Sequence, residues 1–307
     1  MAEASTPVAV PPQMPPSDIQ PRTADAPFNA EKAGVDVILR SSDKVDFYTH
    51  KLVLSLASPF FETAFLVPQP TDGSTTPSIP VVDIPEDSHA LGLLLRCCYP
   101  LRPPTLSTLA DVRCVLHAAL KYEMDAARAV AETSLKDVVD EDPVGVFAIG
   151  CKCNREDVCQ LAAKRLLAYS LQSFESEELH GLSAYPYNKL MQWHARCCTA
   201  ASGTTSRRDW FRNCEVLTNG TGNCSSGVCW VRDPLADSER SDQWLAHQAL
   251  WPYLRRAQLA LQSCPSSVSD IASEAVLGGR LDFSEMLGRE VDRVVSEVPI
   301  PKFCDTK

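Results

Sequence analysis

The order of hydrophobic patterns along the chain restricts its fold more than any other feature of the sequence. Residues 35–40 and 45–48 have the apolar, β-branched and aromatic content of strands, and the intervening Ser41–Lys44 is typical of a turn. Residues 79–84 predict a third strand, and from Ser88 onward the apolar residues recur at helical spacing. The sequence therefore predicts an α+β fold in which a small β-sheet is followed by helical hairpins.

Helical spacing also indicates which side chains should form the core. Residues 50–61 predict a helix that ends near Pro59 or is followed there by a second helix. Further apolar stripes predict helices over residues 88–99 and 109–122. We expect one leucine face of the first helix to pack against these two later helices. The predicted core residues are Leu52, Leu56, Leu94, Leu95, Leu116 and Ala119.

Changes in composition along the chain indicate four segments. Seven prolines and few large apolar side chains near the N-terminus predict a disordered leader over residues 1–32, because such a segment buries too little surface to offset its chain entropy. Residues 33–140 are expected to form the α+β domain, and residues 141–175 a helical extension. All five tryptophans lie beyond residue 190. Residues 176–307 are therefore expected to form a second, mainly α-helical domain rich in tryptophan and cysteine.

Charge and hydropathy narrow the classes of partner. The chain has 29 basic and 39 acidic residues, a net charge of −10, and no cluster of Lys and Arg stands out. Affinity for phosphate requires clustered positive charge, so no nucleic-acid partner is expected. No apolar run approaches the about 20 residues of a membrane helix, and the first residues lack a secretory pattern. We expect no membrane partner, a cytoplasmic or nuclear location, and reduced thiols for most of the thirteen cysteines.

The cysteine-rich tail contains candidate ligands for a structural zinc ion, the one cofactor that the sequence suggests. His194 and Cys197 are three residues apart on a predicted helix, so their side chains share a face. Cys224 and Cys229 lie in a turn-rich segment that could return two thiolates to complete a tetrahedral site. The other candidates are Cys198 and Cys214. The alternative interpretation is that these cysteines are packed thiols, since free cysteines are commonly small buried hydrophobes.

Four common catalytic or cofactor-binding motifs are absent from the sequence. There is no Gly-x-Ser-x-Gly elbow, no Walker loop, no dinucleotide-binding glycine pattern and no His-Glu-x-x-His. His50 has no acid or nucleophile spaced to pair with it. The protein is therefore not expected to be an enzyme. A cysteine or zinc enzyme in the C-terminal half is the alternative, because a Cys–His pair formed by folding cannot be recognised from the sequence.

Residues 35 to about 140 resemble the BTB/POZ domain, through a series of features in the order and at the spacing of that family. Asp36 opens the first strand, and after the hairpin His50-Lys51 leads a helical segment whose residues Leu54, Ser58 and Phe61 match the family's pattern of His, a basic residue, Leu, Ser and Phe. The next matches are a leucine-rich run that ends at Tyr99 and the stretch Ala118–Tyr122, which an alanine-rich helix follows.

Two further segments extend the resemblance. Residues 143 to about 170 resemble the helical pair that often follows a BTB domain and helps to hold a cullin. The whole arrangement, including the tryptophan- and cysteine-rich tail, is similar to the BTB proteins expanded in mushroom-type fungi. Related fungal tails share a His-x-x-Cys pair with later cysteines, which favours the zinc interpretation.

The resemblance implies a non-catalytic adaptor or scaffold that binds proteins. In BTB dimers the residues that match Asp36 and Lys51 lie near the subunit interface and line a partner groove, so self-association is expected, with Asp36, His50 and Lys51 as the candidate interface residues. The alternatives are that Asp36 and Lys51 are simple surface charges and that His50 caps or packs the first helix. A role as the substrate adaptor of a cullin ubiquitin ligase is a narrower candidate, because Leu91-Gly92-Leu93 has leucine where cullin-binding members carry glutamate. The alternative is a transcriptional co-regulator without a DNA-binding domain of its own.

Overall fold

The structure is a computed structural model, and the chain divides into two compact units. The first unit comprises residues 1–105 and 113–131, and the second comprises residues 106–112 and 132–307. The residues that the structure describes are 20–29, 34–67, 79–171, 175–207, 210, 217–219, 230–232, 244–247, 250–266 and 281–304. Among the helices of these described residues, none is both long and apolar enough to cross a membrane.

A four-stranded mixed sheet forms one part of the first unit. Its strands are β1 (Arg22–Thr23), β2 (Val37–Arg40), β3 (Val45–Thr49) and β4 (Val81–Asp83), in the order β1-β3-β2-β4. Strands β2 and β3 form an antiparallel hairpin, whereas β1 runs parallel to β3 and β4 runs parallel to β2. Lys44 closes the hairpin turn with a φ of 61°. The α+β prediction, including its three strands, is confirmed.

Five helices complete the first unit or extend from it. They are α1 (Lys51–Ala57), α2 (Pro59–Leu66), α3 (Ser88–Cys98), α4 (Leu109–Lys121) and α5 (Asp125–Ser134). Ser58 separates α1 from α2, and its hydroxyl accepts a hydrogen bond from the backbone N–H of Phe61. Pro59 occupies the first turn of α2, where its missing N–H leaves no helical hydrogen bond unmade.

The predicted core is correct on α3 and α4 and wrong on α1. Leu94, Leu95, Leu116 and Ala119 are buried as expected. Leu52 and Leu56, however, are 70% and 81% exposed, and the buried leucine of α1 is Leu54. Residues two positions apart lie about 200° apart around a helix, so burying Leu54 turns its two neighbours toward solvent.

The predicted disordered leader, residues 1–32, is ordered in part. Residues 22–23 form β1, where Arg22 N–H donates to the carbonyl of Lys44. Phe28 is only 3% exposed, and its carbonyl accepts a hydrogen bond from Tyr48 N–H at 2.9 Å. The leader prediction is therefore wrong for residues 20–29, because a buried phenylalanine and sheet hydrogen bonds offset their loss of chain entropy. Residues 1–19 and 30–32 lie outside the described residues.

The second unit is mainly helical and includes both the predicted extension, residues 141–175, and the described part of residues 176–307. Its helices are α6 (Pro143–Lys152), α7 (Glu156–Leu166), α8 (Ala184–Thr204), α9 (Leu250–Leu261) and α10 (Leu281–Ser296), with a short 3-10 helix at Glu177–Leu179. Its core contains Tyr253 and Leu254 of α9 packed with Phe283, Leu287 and Val291 of α10.

A small antiparallel sheet in the second unit was not predicted. Its strands are β5 (Leu217–Asn219), β6 (Trp230–Arg232) and β7 (Trp244–His247), in the order β5-β7-β6. From Trp244 onward, apolar and aromatic residues recur at helical spacing, which predicts one helix with an irregularity at Pro252. Instead β7 ends at His247 and α9 begins at Leu250, which places Pro252 in the first helical turn, where proline is tolerated.

Candidate partner-binding surface

The N-terminus of α1 brings together the three residues predicted to lie at a partner interface. Asp36 precedes β2, and its carboxylate accepts a hydrogen bond from the backbone N–H of Lys51 at 2.7 Å. Because this N–H has no partner within the helix, the carboxylate stabilises the first turn of α1. Asp36 is exposed, and His50 and Lys51 are half-buried. All three are therefore within reach of a partner, although Asp36 also has a structural role.

Tyr99 fixes the position of His50. The Tyr99 hydroxyl accepts a hydrogen bond from His50 N–H at 2.9 Å and lies 3.2 Å from Nδ1 of the His50 ring. Its ring packs edge-on against Phe28, with centroids 5.1 Å apart. Burial raises the pKa of Tyr99 to about 12, so the phenol remains protonated at neutral pH. This contact gives a physical reason for finding His50 and Tyr99 in the same sequence pattern.

Exposed apolar side chains are concentrated on α1 and α2. Of the eleven large apolar side chains that are exposed among the described residues, five lie between positions 52 and 67. These five, termed the α1–α2 apolar surface, are Leu52, Leu56, Phe60, Leu66 and Val67. Leu52 and Leu56 are four residues apart and share one face of α1. Clustered apolar exposure of this kind is typical of protein-interaction sites.

The predicted interface residues adjoin the α1–α2 apolar surface. Lys51 directly precedes Leu52, and its ammonium nitrogen lies 5.8 Å from the centroid of the Phe65 ring, within range of a cation–π contact. Sequence reasoning missed the apolar part of this surface because it assigned Leu52 and Leu56 to the core. The sequence signal for this surface was the alternation of leucine at positions 52, 54 and 56. Alternate residues lie on opposite faces of a helix, so these leucines cannot all be buried against one sheet.

A cleft of about 430 Å³ lies between β1 and the outer face of α3. Arg22, Arg96 and Asp25 are among its charged lining residues, and Leu93 contributes an apolar wall. Arg22 pairs with the carboxylate of Asp43 at 3.3 Å. On α3, Leu93 lies one turn before Arg96, so this face of the helix presents a leucine beside a basic group.

The predicted metal ligands His194 and Cys197 are buried in α8, at 5% and 0% exposure. The thiol in contact with the imidazole belongs to Cys198, whose Sγ lies 3.5 Å from Nδ1 of His194. The Nε2–H of His194 donates to the carbonyl of Tyr169 at 3.1 Å. Burial lowers the pKa of His194, which favours the neutral ring. The thiol next to the imidazole thus belongs to the alternative candidate Cys198, four residues after His194, and not to Cys197.

The remaining candidate ligands, Cys224 and Cys229, lie outside the described residues, as does the competing Cys214. Within the described part of the chain, no group of three or more His, Cys, Asp or Glu side chains is arranged to hold a metal ion. The four-ligand zinc site stays a prediction.

Comparison with known protein families gives a match over part of the chain. Residues 26–138 match the family model of the BTB/POZ domain. The match begins in the ordered segment around Phe28 and spans β2–β4, α1–α4 and all of α5. A search of curated proteins found no match.

Proposed function

Residues 26–138 form a BTB/POZ domain, a module for protein–protein interaction, and we propose that the chain is a non-catalytic adaptor that self-associates through the α1–α2 apolar surface. The exposure of Leu52 and Leu56 is the observation that carries this proposal. Burying a fully exposed leucine contributes about 1.5–3 kcal/mol. A two-fold dimer presents the same surface on both copies, so each leucine contributes twice.

The charges at the start of α1 suit a two-fold contact. Asp36 and Lys51 carry opposite charges and lie side by side, with the Asp36 carboxylate 2.7 Å from the Lys51 backbone nitrogen. Two copies that face each other across a two-fold axis can pair the carboxylate of one with the ammonium of the other. Such pairs fix orientation and register more than they add affinity. We place Asp36, His50 and Lys51 at the edge of this contact.

The second unit is proposed to select the client. It is compact by itself, and one of its core clusters is formed largely by α9 and α10. An adaptor requires one surface for assembly and another for recognition, and two units meet that requirement. The protein would then act by bringing partners into proximity.

A cullin is the partner class that the helices after the BTB/POZ domain favour. Helices α6 and α7 form a hairpin over residues 143–166, at the position of the pair that helps to hold a cullin in proteins that this chain resembles. Leu93 is evidence against a cullin partner, since it stands where cullin-binding members carry glutamate. A purified cullin N-terminal domain should co-elute with the full chain if this narrower role is correct.

Light scattering coupled to size-exclusion chromatography tests the self-association. We expect the full chain to elute as a dimer at tens of micromolar, and Leu56→Glu to convert it to a monomer, because a carboxylate would be buried without a partner. Leu120→Glu is the matched control, since Leu120 is 50% exposed on α4 but lies outside the α1–α2 apolar surface.

Two outcomes would count against the dimer. One is a monomeric wild-type chain at these concentrations. The other is a Leu56→Glu variant that keeps its dimer while the circular dichroism spectra of both variants match the wild type.

A further inference from the structure

The last described segment of the chain packs onto α6 and α7. Phe303 is 1% exposed, and its ring meets that of Phe147 on α6 edge-on, with centroids 5.0 Å apart and an interplanar angle of 87°. The ammonium of Lys189, on α8, donates to the carbonyl of Lys302 at 2.8 Å. A non-helical stretch beyond α10 is thus held by an aromatic contact and a charged hydrogen bond.

The side chain of Glu156, the first residue of α7, holds the same segment by accepting hydrogen bonds from the segment's backbone. Its carboxylate accepts hydrogen bonds from Phe303 N–H at 3.0 Å and from Cys304 N–H at 2.9 Å. The side-chain amide of Gln160 donates to the other carboxylate oxygen at 2.9 Å and orients the group. These bonds hold the backbone of Cys304 beside α7, which keeps its thiol near that helix.

Three thiols meet at this junction. The Sγ atom of Cys159, on α7, lies 3.5 Å from that of Cys151 on α6 and 3.7 Å from that of Cys304. Cys159 is fully buried, whereas Cys151 and Cys304 are half-buried. Gly150 makes room for Cys159, because a Cβ at position 150 would lie 3.0 Å from the Cys159 sulfur.

We propose that Cys159 and Cys304 form a site of reversible oxidation at which a disulfide covalently joins the C-terminal segment to α7. A two-electron oxidant of the hydrogen peroxide class drives the reaction. The half-buried Cys304 thiol is oxidised first to a sulfenic acid, with release of one water. The Cys159 sulfur then attacks the Cys304 sulfur, the S–S bond forms, and the hydroxyl leaves as a second water. A thiol reductant reverses the step by disulfide exchange.

Cys304 rather than Cys151 is the expected partner of Cys159. Cys151 and Cys159 belong to two helices whose spacing is set by side-chain packing, whereas Cys304 lies in a non-helical segment, so its thiol can close the 3.7 Å gap to Cys159 without moving a helix. A bond between Cys159 and Cys304 also closes a long loop, which restricts the unfolded chain. The oxidised form should therefore unfold at a higher temperature than the reduced form.

Non-reducing peptide mapping of the full chain tests the proposal. The protein is treated with hydrogen peroxide at mildly alkaline pH, because burial raises the pKa of Cys304 to about 11 and leaves little thiolate at neutral pH. Free thiols are then alkylated and the chain is digested with trypsin. Trypsin separates the three cysteines into peptides 137–152, 156–164 and 303–307. We expect peptide 303–307 to appear mainly linked to peptide 156–164, and the link to disappear with reductant.

Two variants make the test specific. Cys304→Ser, which changes the half-buried thiol near the chain end, should abolish the link and the rise in melting temperature on oxidation. Cys151→Ser should retain both. The proposal is overturned if peptide 156–164 links mainly to peptide 137–152, or if oxidation yields only unlinked, further-oxidised cysteines. Retention of the oxidation-dependent rise in melting temperature in Cys304→Ser would overturn it as well.

Discussion

The Asp43 carboxylate joins the β2–β3 turn to the first residue of α3. One of its oxygens accepts hydrogen bonds from Ser88 N–H at 2.8 Å and from the Ser41 hydroxyl at 2.6 Å, and the other accepts one from the Ser88 hydroxyl at 2.7 Å. Desolvation opposes the charged form, but these hydrogen bonds together lower the pKa of Asp43 to about 2. A turn residue that looked interchangeable in the sequence therefore connects a strand hairpin to a helix.

Replacing Asp43 should destabilise the first unit in a pH-dependent way. The pKa of Asp43 is lower in the folded protein than the about 3.9 of an unfolded aspartate, so its stabilisation is present above about pH 4 and is lost as the pH falls toward about 2. We expect Asp43→Asn to lower the urea midpoint at neutral pH, and the difference from wild type to shrink through that window.

Asp83→Asn is the matched control for Asp43→Asn. The Asp83 side chain is 74% exposed and pairs with Lys44 at 3.6 Å, and exposed pairs of this kind contribute little. Its midpoint should stay close to that of the wild type. A deficit of Asp43→Asn that stayed constant from neutral pH down to about pH 2 would exclude the ionised carboxylate as its cause.

Helices and strands that depend on neighbouring residues could be predicted from the sequence. Those that depend on contacts with residues distant in the chain could not. Strands β2 and β3 flank a turn that their own sequence specifies, so the pattern predicted them to within two residues at each end. Strand β1 has only two residues, Arg22–Thr23, and exists because it pairs with β3. Helix α1 was predicted with the wrong buried face, since either Leu54 or the pair around it satisfies helical spacing. Only the packing of the rest of the unit decides between the two.

The hairpin of α6 and α7 depends on a glycine at the point where the helices approach. A Cβ at Gly150 would lie 3.0 Å from the sulfur of Cys159 and 3.2 Å from Cγ1 of Val158. We expect Gly150→Ala to force the helices apart and to cost about 1–3 kcal/mol of stability. Urea denaturation followed by circular dichroism measures this loss.

Gly203→Ala, in the last turn of α8, is the control for Gly150→Ala. Among the described residues, no heavy atom beyond the chain neighbours and the backbone of α8 itself lies within 4 Å of a Cβ built at Gly203. Alanine there should be neutral or stabilising by up to about 1 kcal/mol, because it loses less backbone entropy on folding. Equal effects of the two substitutions would show that helix propensity, rather than crowding at Cys159, determines the result at position 150.

At the scale of the whole molecule, the second unit is closed by residues from its two ends. Phe147 lies in the segment predicted as a helical extension, and Phe303 lies near the chain end, yet their rings are in contact. The predicted boundary between residues 175 and 176 therefore falls inside one compact unit. A sequence contains no local signal for such a contact, because each phenylalanine fits its own segment equally well with or without the other.

A chain that ends at Ser296 should lose the contacts that close the second unit. Removing a buried phenylalanine side chain costs about 3–5 kcal/mol, so the melting temperature of this unit should fall. The deletion also uncovers Cys159, which is 0% exposed in the full chain, so a maleimide should label tryptic peptide 156–164 much faster. A chain that ends at Cys304 retains Phe303 and its bonds to Glu156, and it should match the full chain in both measurements. Unchanged labelling and melting of the Ser296 chain would show that residues 297–304 contribute nothing to closing this unit.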